Sequence, residues 1–199
     1  MKKKIFIGLL AISLAACSPG TKIVNSWRDP DVTVNTAEIH KFVVAALLKN
    51  QTVRRQVEDD MAAMFPGKAV QSYKELGEGE LKENEEFYNG KLKSEGYDGV
   101  VVMRLLNVDK DTRYVPGNYP VYYGRWRGYW GYSWSGFYDP GYYTTDKVYD
   151  VEVNVYSLKR DKLIWTGNTS TINPPGRGEL FKDVSKAVYD KMKKEGFLI

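Results

Sequence analysis

Few residue types in this chain of 199 residues can do chemistry, for it holds one cysteine, Cys17, and one histidine, His40. A lone histidine cannot supply a metal cluster, and no Ser-His-Asp arrangement can be read from it. His40 stands at the entrance of an apolar segment, where a structural role is expected. Acidic residues cluster at Glu58-Asp59-Asp60 and at Glu83, Glu85 and Glu86. Both groups fall in stretches of helical period and read as solvated faces. Neither nominates the two acids facing one cleft that glycoside hydrolysis uses. Gly77-Glu78-Gly79 lacks the strand-to-helix context and the Lys-Ser/Thr ending of a phosphate loop. The expectation is a non-enzymatic chain with no metal site, no cofactor and no catalytic residue.

The aromatic residues are the other candidates for function. Residues 114–143 hold 13 of the chain's 27 aromatics together with six glycines, and no helical or strand period organises them. A long glycine-rich loop is expected over about 114–144, and loops of that length are usually functional or disordered. The candidate binding residues are Tyr122, Tyr123, Trp126, Tyr129, Trp130, Tyr132 and Trp134. Three uses stay open: an insert lying over its own domain, a recognition surface, or a belt at the membrane interface with Arg125 and Arg127. Tyr and Trp offer large contact area at low entropic cost, and rings also stack on sugar faces. A protein partner, a second copy or a glycan are therefore the candidate targets. Nucleic acid is not expected. Three of the four net positive charges are Lys2, Lys3 and Lys4, so a chain cut before Cys17 carries only +1, with no basic stripe.

The elements that must hold these residues follow from periodicity. Residues 21–27 read as an extended segment, which Arg28-Asp29-Pro30 breaks. Phe42 to Leu48 is a continuous apolar run, expected of a strand buried on both faces. Asn50 can cap a helix carrying Val53, Val57, Met61 and Met64 on one stripe, ended by Pro66-Gly67. A short strand over 68–73 follows, then a charged helix from about Gly79 to Glu95 with Gly96 as its C′ residue. Val100 to Leu106 is a third strand. Strand, helix, strand, helix, strand reads as two crossover units with a parallel core. Val148–Tyr156 alternates and returns over Leu163–Thr171 as an antiparallel hairpin. A terminal helix carries Leu180, Val184, Ala187, Val188 and Met192. The expected fold is α/β (α+β): one domain over 39–199, with a mixed, mostly parallel sheet of about five strands packed by three helices.

The amino terminus supplies an address. Lys2-Lys3-Lys4, an apolar run from Ile5 to Ala16 and small residues before Cys17 form the parts of a secretory signal peptide over 1–16. The run is too short to span a bilayer. Leu14-Ala15-Ala16-Cys17 resembles the lipobox of bacterial lipoproteins, which implies acylation of Cys17 and a tether over 17–38. Ser18, with no Asp at that position, resembles the sorting signal for the outer membrane, so a periplasm-facing, lipid-anchored protein is expected. The carboxy-terminal half resembles a family of uncharacterised bacterial lipoproteins with a domain of unknown function. The resemblance rests on Tyr149–Tyr156, on Asp161-Lys162-Leu163-Ile164-Trp165-Thr166-Gly167 and on the helix closing in Lys193-Lys194-Glu195-Gly196-Phe197-Leu198. It names no catalytic residue. The order of elements also looks like the small α/β domains of other envelope lipoproteins and the N-terminal domain of the Tol-system propeller protein.

Overall fold

A computed structural model describes residues 20–76, 85–115 and 142–199, with Glu85 described in its main chain only. They form one sheet of six strands: β1 (Thr21–Arg28), β2 (Phe42–Leu47), β3 (Ala69–Gln71), β4 (Gly99–Val115), β5 (Tyr142–Ser157) and β6 (Lys162–Ile172). The spatial order is β1-β6-β5-β4-β2-β3. Four helices accompany it: α1 (Gln51–Ala63), α2 (Ser72–Glu75), α3 (Glu85–Ser94) and α4 (Arg177–Lys194).

The α+β class and the mixed sheet stand as expected, but the finer reading needs correction. Only β3-β2-β4 is parallel; the other three neighbouring pairs are antiparallel, so the sheet is not mostly parallel. The sixth strand is the amino-terminal extended segment, which joins the edge of the sheet beside β6. The pairing of β5 with β6 is the expected hairpin. A longer hairpin between β4 and β5 was not expected.

The crossovers explain the layers. The chain steps from β2 outward to β3, then back across β2 to β4. Two crossovers of the same hand running in opposite directions must place their helices on opposite faces. Val44, with Met103 and Val153, accordingly packs under α1 and α4 in the larger core. Val43 packs with Leu76, Leu92 and Tyr97 on the other face. Being covered twice is what makes β2 a continuous apolar run. Asn50 caps α1 as its sequence suggests, accepting from the Val53 N–H at 3.0 Å. Gly96 and Gly196 follow α3 and α4 with φ of +77° and +66°, the left-handed values a helix C′ residue needs.

One side chain overturns its own reading. Glu58 is not on a solvated face but is fully buried. It accepts from the Ala46 N–H, Arg54 Nε, the Ser72 hydroxyl and the Tyr73 N–H at 2.7–3.1 Å. The carboxylate ties the end of β2 to α1 and to the start of α2. Such a charge is tolerated because four donors meet it, three on one carboxylate oxygen and one on the other.

Candidate functional site

Beyond Asp109 and Val148 the strands β4 and β5 pair, among the described residues, only with each other, from Lys110–Lys147 out to Val115–Tyr142. They form a two-stranded arm reaching past the sheet. The chain between them leaves and returns at its end. All seven candidate binding residues, Tyr122, Tyr123, Trp126, Tyr129, Trp130, Tyr132 and Trp134, fall within 116–141 and lie outside the described residues, as does Cys17. The arm is therefore where the structure meets the aromatic segment.

Strand alternation sorts the arm into two faces. One carries three cross-strand pairs in succession: Lys110 with Lys147, Thr112 with Thr145, and Tyr114 with Tyr143. The threonine hydroxyls meet at 3.0 Å, and the tyrosine rings lie 5.2 Å apart at 55°. Tyr143 is 75% exposed and Tyr142, on the opposite face, 64%. On that opposite face Asp111 stands across from Asp146. There the like charges are relieved, because Asp146 accepts from both Arg113 and Asn173. The lysine pair has no such relief: among the described residues neither ammonium makes an ion pair. Like charges directly opposite destabilise a ladder, so this face favours an acidic group between them.

At the arm's root, on the lysine face, a polar recess of about 400 Å³ is lined by Thr145, Lys147, Tyr149, Asn173 and Arg177. Asn173 pins the root: its N–H donates to the Lys147 carbonyl at 2.8 Å, and its side chain accepts from the Lys147 N–H at 2.8 Å. The amino terminus enters beside this root, since Thr21 pairs with Thr171 and Val148 with Ile172.

Gly77, Glu78, Gly79, Glu83 and the Glu85 side chain lie outside the described residues, and among the described residues the other sequence candidates do not assemble into a reactive centre. His40 is exposed with Nδ1 3.7 Å from the Asp98 carboxylate, at the far end of the sheet from the arm. Asp59 is held by Gln71 and by the Tyr73 hydroxyl, at 2.8 and 2.6 Å. The bond to Asp59 pushes the Tyr73 phenol above its ordinary range, since ionising it would set two negative charges together. Burial does the same, more strongly, to Tyr97, aided by Glu75. Among the described residues no group of three or more His, Cys, Asp or Glu side chains could hold a metal ion. Among the described residues, too, no helix is long and apolar enough to cross a membrane.

No protein-family model matches the chain, and no curated protein matches it in sequence. Among solved structures it is similar to the PelC dodecamer from Paraburkholderia phytofirmans and to a single-residue variant of it. Each is 8% identical, at TM-scores of 0.42 and 0.43. The alignments cover 84% of this chain and 94% and 95% of those chains. A likeness this distant carries no argument about function or assembly.

Proposed function

We propose that this chain is a lipid-anchored, non-enzymatic protein of the bacterial outer membrane, facing the periplasm, that docks a protein partner or further copies of itself. In this reading it is one of the uncharacterised bacterial lipoproteins with a domain of unknown function, acylated at Cys17 after removal of residues 1–16. The observation that carries the proposal is the arm, which sets exposed tyrosines above an unrelieved lysine pair, clear of the core. Large amphipathic rings beside a cation are the residues that dominate binding hot spots. The root of the arm adjoins the entry of β1, so an anchor on Cys17 holds arm and membrane at the same end of the molecule.

A second reading is a glycan, for which the Tyr114–Tyr143 pair offers a stacking platform. One set of variants separates the two. Replacing Tyr114, Tyr142 and Tyr143 together by serine should lower affinity for the protein partner about tenfold or more, with the melting curve nearly unchanged. Unchanged partner recovery contradicts the proposal. Quenching of tryptophan fluorescence by peptidoglycan or lipopolysaccharide fragments, lost in the same variant, assigns the site to glycan instead.

A further inference from the structure

At the end of the sheet away from the arm, residues 32–39 cross beneath the C-terminus of α4 as a strap. The Val34 N–H donates to the Phe197 carbonyl at 2.7 Å, the Thr36 N–H to the Ile199 carbonyl at 2.9 Å, and the Ile199 N–H back to Val34 at 3.0 Å. Lys68 Nζ closes the other side on the Thr36 carbonyl at 2.7 Å. Behind the strap a cavity of about 760 Å³ runs inward between the sheet and helices α1 and α4. That lies within the roughly 300–1,000 Å³ of sites that take small ligands. Its walls are apolar: Val101 and Val155 from the sheet, Met61 and Met192 from the helices. Phe42, Phe65 and Tyr189 form one side, stacked edge-on at 5.4 and 5.9 Å. Ser185, also in the lining, gives its hydroxyl to the Phe181 carbonyl of its own helix at 2.8 Å, so it makes no demand on a guest.

The mouth has the opposite character. Its carboxylates are occupied: Asp98 accepts from the His40 and Lys41 N–H groups, at 2.6 and 3.2 Å, and Glu38 from Asn35 at 2.8 Å. Its cations keep free donors. Lys68 meets a carbonyl, and the Arg160 guanidinium makes no hydrogen bond or ion pair among the described residues, although its charge acts on Asp29, which Lys162 pairs. We infer that this cavity binds a single-chain anionic amphiphile, with the tail between the sheet and α4 and the head at Arg160 and Lys68. Unbranched, adaptable methionines in the wall suit a flexible chain better than a rigid ring system. The inference stands apart from the arm and its partner.

The test is calorimetric titration of the full chain with decanoate, dodecanoate and tetradecanoate below their micellar concentrations. Each pair of added methylenes should tighten Kd about tenfold, as burial of two methylenes predicts. Dodecyltrimethylammonium should bind at least tenfold more weakly than dodecanoate. Arg160→Gln, at an exposed position, should weaken the carboxylates severalfold, and Val155→Phe should abolish binding by filling the cavity. Tyr143→Ser on the arm should leave it untouched. A lysophosphatidylglycerol arm ranks phosphate heads against carboxylate heads within the same chemistry. Absence of binding, affinity independent of chain length, or equal affinity for the cationic amphiphile overturns the inference. The length series on the unaltered chain decides the matter even where Val155→Phe fails to fold.

Discussion

Trp165 shows why its strand reads Leu-Ile-Trp-x-Gly. Residues two apart share a face of a strand, and the indole lies across Gly167; a Cβ built there would stand 2.4 Å from Trp165 Cη2. Gly167→Ala should therefore cost about 1–3 kcal/mol in urea unfolding, the range of core overpacking. The indole N–H donates to Glu195 at 3.0 Å, and Ser26 donates to the same carboxylate at 2.6 Å. Burial works to raise Glu195, but these donors and Lys191 outweigh it and hold its pKa below the ordinary 4.5. A lowered folded-state pKa means stability that is present above about pH 4.5 and lost as pH falls through the folded value. Glu195→Gln should cost about 1–2 kcal/mol near neutral pH, and the difference from the unaltered chain should shrink as pH falls below 4.5. A difference independent of pH would refute the assignment. Glu58→Ala should cost roughly 3–5 kcal/mol, the range for removing one member of a buried charge pair. Its burial left one trace in the sequence, for it lies four residues after Arg54 and four before buried Ala62, along the edge of the apolar stripe.

Among the elements, those set by local period were readable: the doubly covered β2, the Asn50 cap, the C′ glycine Gly96 and the β5–β6 hairpin. The arm was not, and of β1 only the extended backbone was, not its place in the sheet. Residues 107–113 carry charges and amides with little apolar alternation, and their strand exists through pairing with a segment roughly thirty to forty residues later. Likewise β1 is a sheet member because it meets β6, about 140 residues downstream. Strand preference depends on cross-strand neighbours, which a local window does not contain. The same point makes the arm tunable. Lys147→Glu turns the opposed lysines into an attractive pair, so it should stabilise the arm by a few tenths to about 1 kcal/mol. Hydrogen exchange at Thr112 and Thr145 should slow while global stability barely moves. Affinity for an acidic partner should fall with the same substitution.

At the scale of the whole molecule, the two proposals fall at opposite ends. One end joins the entry of the chain to the arm; the other holds the strap and its apolar cavity. The proposed anchor rests on linear patterns, a signal peptide and a lipid-attachment cysteine, and Cys17 lies outside the described residues. The aromatic segment announced itself by composition alone, and composition does not say which surface presents it. The proposed docking of a partner by the arm can be checked by placing a photoreactive amino acid at Tyr142 or, as a control, at exposed Phe87 on α3, in intact cells making the full chain. The account predicts one adduct of defined size at Tyr142, absent at Phe87 and absent at Tyr142 when Tyr114 and Tyr143 are serine. No adduct at Tyr142, or the same adduct at Phe87, would contradict it.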